Sequence, residues 1–121
     1  MNDQPLLYPN ERIDDLLTHD IKIIQSDDVF SFSLDAVLLG RFCTAPRRGR
    51  IVDLCTGNGV IPLLLSPRTE AHIVGVEIQH RLADMAMRNV RMNGLERRID
   101  IVHGDLKDAP QRLGSGRFDL V

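Results

Sequence analysis

Cysteine is scarce in this chain, with only Cys43 and Cys55 among 121 residues. Two thiols make neither a disulfide framework nor a metal cluster. Both lie in apolar stretches, so they are expected to be reduced core thiols of a cytoplasmic protein. The four histidines, His19, His72, His80 and His103, show no ligand spacing with one another or with the cysteines, which argues against a zinc site. Long apolar runs are missing as well. Stretches such as Val60 to Leu65 are far too short to cross a bilayer. The first twenty residues are polar and acidic rather than basic then apolar, so no signal peptide is expected. Charge of one sign is not in excess either: 15 basic against 17 acidic side chains give no electrostatic case for nucleic acid. Of the basic residues 13 are arginine, densest at Arg47, Arg48 and Arg50, which suits phosphate but equally suits a solvated turn. There is no internal repeat, no low-complexity segment and no serine, cysteine or histidine constellation for a covalent nucleophile.

What is present is a strand–helix alternation in a chain long enough for one domain, with 43% apolar residues. Arg50 to Leu54 reads as a strand, and Gly59 to Leu65 as a short helix stopped before Pro67. His72 to Glu77 is a second strand. His80 to Met92 is a longer helix expected to bury Leu82, Ala83, Met87 and Val90, with Met85 and Met92 as further core filler, and to end at Asn93-Gly94. Ile99 to His103 is a third strand, and Phe118 to Val121 begins a fourth. Alternation at this spacing implies parallel strands with right-handed crossovers, hence an α/β, Rossmann-like, doubly wound sheet, cut within its fourth strand. Ahead of it come an all-polar start, a β-like stretch at Ile21 to Gln25 and a helix through Leu34 to Phe42. The division expected is an N-terminal segment over 1–49 and a ligand-binding core over 50–121.

The chemistry concentrates at the ends of those strands. In Ile51-Val-Asp-Leu-Cys-Thr-Gly-Asn-Gly-Val60, Gly57 and Gly59 allow a tight turn and close backbone approach to a ligand. Asp53 stands ahead of the turn, where a carboxylate repels a pyrophosphate but suits a ligand bearing an ammonium and a sulfonium. The third glycine of a dinucleotide fingerprint is replaced by Pro62. The pattern therefore points to S-adenosylmethionine rather than NAD. Glu77 ends the second strand, where it can accept both hydroxyls of a ribose, and Asp105 follows the third, placed to accept from an adenine amine between Ile78 and Leu106. Taken singly, Asp53 could be a turn cap, Glu77 a solvated charge and Asp105 a helix cap.

These residues carry a resemblance that extends over nearly the whole chain. Gln25-Ser-Asp-Asp-Val-Phe-Ser-Phe-Ser-Leu-Asp-Ala-Val-Leu-Leu39 resembles the N-terminal signature of the bacterial adenine methyltransferases that act on valine tRNA. Val52 to Leu65, Val74-Gly-Val-Glu-Ile-Gln79, Asn89 with Asn93-Gly-Leu95, and Gly104-Asp105 match the same family. The resemblance implies methyl transfer from S-adenosylmethionine to the exocyclic amine of an adenine in the anticodon loop. It implies that Asp53 and Gly57 cradle the methionine end, Glu77 the ribose and Asp105 the adenine, with Phe32, Ser33 and Asp35 closing over the cofactor. The last three residues read equally as part of an amphipathic helix packing Leu34, Val37 and Leu38 on the sheet.

The family's Asn-Pro-Pro-Tyr motif, which receives a flipped base after the fourth strand, does not occur in the sequence. The chain is therefore expected to be the cofactor-binding half of a longer enzyme, with no catalytic residue of its own. Its apolar edge at Phe118, Leu120 and Val121 is expected to self-associate or to unfold locally. Two rival functions stand beside this reading: an NAD-dependent oxidoreductase, and a non-catalytic module for RNA or protein contact on the same fold.

Overall fold

The computed structural model describes residues 7–16, 19–27 and 34–121. An antiparallel hairpin of β1 (Glu11–Asp15) and β2 (Lys22–Ser26) comes first, followed by helix α1 (Leu34–Phe42). The core then alternates through β3 (Arg50–Leu54), α2 (Val60–Leu65), β4 (His72–Glu77), α3 (His80–Met92), β5 (Ile99–His103) and the short α4 (Ala109–Leu113). Strands β3, β4 and β5 are parallel and pair in that order.

Alternation of side chains across the sheet explains why both faces are covered. Ile51, Ile73 and Ile99 sit in register and pack with Val60, Leu63 and Leu65 of α2 and Val90 of α3. Their neighbours Val52, Val74 and Val76 point the other way, onto Leu113 of α4 and Phe118. That two-sided burial is the doubly wound arrangement expected of the sequence.

On the outer side of β3, residue Leu120 forms a parallel bridge with Ile51, and the Val52 N–H donates to the Leu120 carbonyl at 3.0 Å. The expected fourth strand is thus a single bridge rather than a regular strand among the described residues. Its position fixes the topology. Strand order runs outward from β3 in both directions, so the crevice at the carboxyl end of β3 is a topological switch point, where open α/β sheets bind ligands.

Several expectations need correcting. The polar start contains a strand, β1, whose Glu-Arg-Ile-Asp-Asp sequence suits an exposed edge. On α3, Met87 is 39% exposed, and the buried face is made instead by Leu82, Ala83, Met85, Ala86, Asn89 and Val90. The i, i+3, i+4, i+7 period leaves Met87 on the outer side. On α1, Val37 and Ala36 reach the core but Leu38 does not, at 54% exposed. The end of α3 is as expected: Gly94 takes φ of 68°, and Leu95 N–H donates to the Val90 carbonyl at 3.0 Å.

Candidate ligand site at the strand ends

After Leu54 the backbone leaves the sheet abruptly. Cys55 takes φ of 60° and Gly57 φ of 62°, and Gly59, at 89°, opens α2. Glycine tolerates this left-handed region freely, which is what the two-glycine spacing provides. A Cβ placed on Gly57 would meet nothing within 4 Å, so the turn faces open space there. Gly59 has a second role, since its Cβ would lie 3.4 Å from that of Ala86 on α3. The turn is tied to the sheet by Thr56, whose N–H donates to the Val76 carbonyl at 2.9 Å. Gly75 leaves the room for this: a Cβ there would come 2.8 Å from the Thr56 hydroxyl oxygen.

Glu77 is buried at 6% exposure, and its two carboxylate oxygens accept one backbone N–H each. Oε1 takes that of Gly57 and Oε2 that of Gln79, both at 2.9 Å. Each oxygen keeps a further lone pair, so a diol can still be accepted. Asp53 differs. Its Oδ2 is sealed from solvent and has no hydrogen-bond partner, as is true of the Thr56 hydroxyl. Burial pushes the Asp53 carboxyl above its ordinary range and the Glu77 charge adds to the rise, while the nearby Thr56 hydroxyl opposes it. A buried acceptor without a donor, held beside a second carboxylate, is a place that a cationic group would stabilise.

Ile78, Asp105 and Leu106, expected together around an adenine, line one cavity of about 90 Å³ with Cys55, Val76 and Gly104. Ile78 and Leu106 expose 58% and 47% of their surface and so leave apolar faces on which a flat ring could stack. Asp105 also caps the turn after β5, its Oδ1 accepting the Lys107 N–H at 3.0 Å, as the helix-cap reading of this residue expects. His103, to which sequence reasoning gave no role, bonds the Ile78 carbonyl at 2.9 Å and thereby pins the cavity wall.

Cys55 corrects an expectation. It is exposed rather than buried, because the reversal after Leu54 turns it outward into that cavity, while Cys43 is half-buried. Asp35 is exposed in the first turn of α1 and is not among the residues lining the cavity. Phe32 and Ser33 lie outside the described residues. Arg47, Arg48 and Arg50 lie just before or at the amino end of β3, opposite the glycine turn; Arg48 pairs with Glu70 at 3.3 Å and Arg50 stacks on Phe118. No group of metal-ligating side chains forms among the described residues, and no helix among them is long and apolar enough to cross a membrane.

A family model described as a methyltransferase domain matches residues 51–121. Curated relatives include a protein of Porphyromonas gingivalis, 35% identical over 94 residues, and one of Bacteroides fragilis, 30% identical over 87. Both are named tRNA1(Val) (adenine(37)-N6)-methyltransferase, and each match covers 72% of this chain and 37% of the relative's length. The chain thus spans little more than a third of these relatives. Among solved structures, a SAM-dependent methyltransferase from Agrobacterium tumefaciens shares the fold at a TM-score of 0.66 and 20% identity, covering 88% of this chain and 36% of that one. P. horikoshii TYW2 in complex with MeSAdo does so at 0.69 and 18%, covering 84% and 38%.

Proposed function

Because the chain belongs to the methyltransferase domain family, we propose that it binds S-adenosylmethionine at the carboxyl ends of β3, β4 and β5 as part of an enzyme that methylates an adenine amine of valine tRNA. One observation carries the cofactor reading: the carboxyl ends of the adjacent strands β3 and β4 hold an unpartnered Asp53 oxygen and the Glu77 carboxylate that ties down the Gly57 N–H, and the Ile78–Asp105–Leu106 cavity follows at the ends of β4 and β5. Asp53 and Gly57 hold the methionine end, with Gly59 shaping the turn. Glu77 accepts the ribose hydroxyls, and Ile78, Leu106 and Asp105 hold the adenine. The cofactor supplies an electrophilic methyl on a sulfonium, so the protein's task is alignment rather than covalent catalysis. Residues 50–121 form the binding core.

The names of the relatives support the tRNA substrate, and with it a cytoplasmic setting. The oxidoreductase alternative is disfavoured by the same Asp53, which would face a pyrophosphate. Calorimetric titration with S-adenosylhomocysteine and with NAD separates the two, since binding of NAD alone would overturn the cofactor assignment. For the substrate, tritium transfer to unmodified valine tRNA is measured on the chain and on a chimera continued after Val121 with the corresponding segment of the P. gingivalis relative. Label on adenine is expected from the chimera. Label on another base, or none, would overturn the substrate assignment, and a chimera that binds cofactor yet labels no RNA would favour the non-catalytic module.

A further inference from the structure

Two asparagines, Asn58 and Asn89, join the hairpin to the glycine turn in a way that the cofactor reading does not use. Asn89 on α3 is fully buried. Its Oδ1 accepts the Ile24 N–H of β2 at 2.6 Å, and its Nδ2 donates to the Asn58 carbonyl at 2.9 Å and the Ile24 carbonyl at 3.4 Å. Asn58, itself buried, donates through Nδ2 to the same Ile24 carbonyl at 3.1 Å. Asn58 lies between Gly57 and Gly59, both left-handed, so its carbonyl belongs to the tight reversal of the turn. The side chain of Asn89 holds that carbonyl in place.

One helical turn on, Asn93 frames Lys22 similarly. It accepts the Lys22 N–H at 3.0 Å and donates to the Lys22 carbonyl at 2.7 Å. Its remaining bond goes to the Asn89 carbonyl at 2.8 Å, within α3, rather than to the glycine turn. Two side-chain amides thus grip β2 from one helix, and Asn89 alone of the two also grips the turn.

We infer that Asn89 is a positioning residue that couples ligand occupancy of the glycine turn to the seating of the β1–β2 hairpin. The inference rests on the reading of that turn as the cofactor cradle. A ligand that selects one orientation of the Gly57–Gly59 peptides stabilises the Asn58 carbonyl where Asn89 meets it, and through the same side chain it stabilises Ile24. By linkage, a seated hairpin raises ligand affinity by the same factor.

The test combines calorimetry with amide hydrogen exchange, using S-adenosylhomocysteine as probe. In the unaltered chain, saturating ligand is expected to slow exchange at the Ile24 amide by about tenfold, within the usual range of coupling between sites. Asn89→Asp keeps an acceptor for Ile24 but loses the donor to Asn58; it is expected to weaken binding by about tenfold or more and to abolish the ligand-induced protection at Ile24. Asn93→Ala loosens Lys22 and lowers ligand-free stability, yet keeps affinity within about twofold and keeps that protection. Equal loss of affinity in the two variants would reduce Asn89 to a structural role and overturn the inference. Should Asn89→Asp fail to fold, exchange in the unaltered chain decides: a chain that binds the ligand with no slowing at Ile24 overturns the coupling alone. A chain that binds no S-adenosylhomocysteine overturns the cofactor reading, and the coupling with it.

Discussion

The Oε1 atom of Glu77 accepts the backbone N–H of Gly57 at 2.9 Å, across a sequence separation of 20 residues. The acid that ends β4 is therefore also what sets the depth of the turn that ends β3. A single carboxylate shapes the two halves of the crevice relative to each other, with Oε2 doing the same for the start of α3 through Gln79.

Glu77→Gln tests that double role. The amide can accept from only one of the two N–H groups and turns its own donor toward the other. Affinity for S-adenosylhomocysteine should fall by about 1.5–3 kcal/mol, the range for hydrogen bonds to a charged group. Ligand-free stability should fall too, because the turn and the start of α3 lose their shared acceptor. Unchanged affinity by calorimetry would remove Glu77 from the ribose position.

The two glycines should respond differently to alanine. At Gly57 the added methyl meets no protein atom, so Gly57→Ala should cost about 1–2 kcal/mol of stability from the left-handed backbone, and a larger loss in ligand affinity. At Gly59 the methyl only reaches contact distance of Ala86, but the Gly59 φ of 89° lies outside the left-handed well that Gly57 occupies at 62°, so Gly59→Ala should be the more destabilising of the two. Urea unfolding and titration on both variants check the ordering. Gly57→Ala binding with native affinity would mean that no ligand backbone or side group approaches the turn.

The difference between what could be read from the sequence and what could not follows the range of the interactions. Asp53, Gly57, Glu77 and Asp105 were legible because strand period and glycine spacing place each at a strand end, and parallel register then brings the ends together. Cys55 was not, since an apolar neighbourhood in sequence says nothing of a backbone that reverses one residue after the strand. Strand β1 was illegible because its charges suit solvent, and its anchors lie far off: Glu11 meets Arg88 across 77 residues. Asn89 reads locally as a weak helix former, and its purpose depends on a strand 65 residues earlier. The spacing of Asn89 and Asn93, one turn apart on the same helix face, was the available signal.

The Arg88–Glu11 pair predicts how the hairpin responds to acid. Arg88 donates to both oxygens of Glu11 at 2.6 and 2.8 Å, holds Asp84 at 2.9 Å and lies under the Tyr8 ring. The Arg88 hydrogen bond holds the Glu11 carboxyl below its ordinary value, although burial opposes the shift. A depressed carboxyl contributes stability that is present above its unfolded pKa and lost as pH falls through the folded one. Amides of β1 and β2 should therefore lose exchange protection below about pH 4.5. Glu11→Gln should cost about 3 kcal/mol at neutral pH, as expected when one partner of a buried pair is removed. It should also flatten that acid response. Equal acid sensitivity in the variant would assign the response to other carboxylates.

Asp53 gives the opposite sign, and with it a conflict between stability and binding. Burial holds its carboxyl above the ordinary aspartate value of 3.8. A raised carboxyl favours the folded state only where it is protonated. That contribution is complete below the unfolded pKa and is lost as pH rises through the folded pKa. At neutral pH the ligand-free protein therefore carries a sealed, unpartnered Asp53 oxygen as a cost. An amide in its place would carry no charge, so Asp53→Asn should raise ligand-free stability at pH 7 by on the order of 1 kcal/mol, the low end of the cost of an unsatisfied buried group. The gain should shrink toward zero as pH falls below the ordinary aspartate range, because the native carboxyl is then neutral as well. The same variant should bind S-adenosylhomocysteine more weakly, by about tenfold or more, having lost the anion that faces the ligand's ammonium. Urea unfolding at pH 7 and pH 3.5, paired with calorimetry at pH 7, reads both effects on one protein. A variant that is more stable and binds equally well would show that the Asp53 charge serves neither the fold nor the ligand. One that is less stable at pH 7 would mean that the carboxylate finds a donor in the ligand-free protein, and that the crevice is not waiting for a cation.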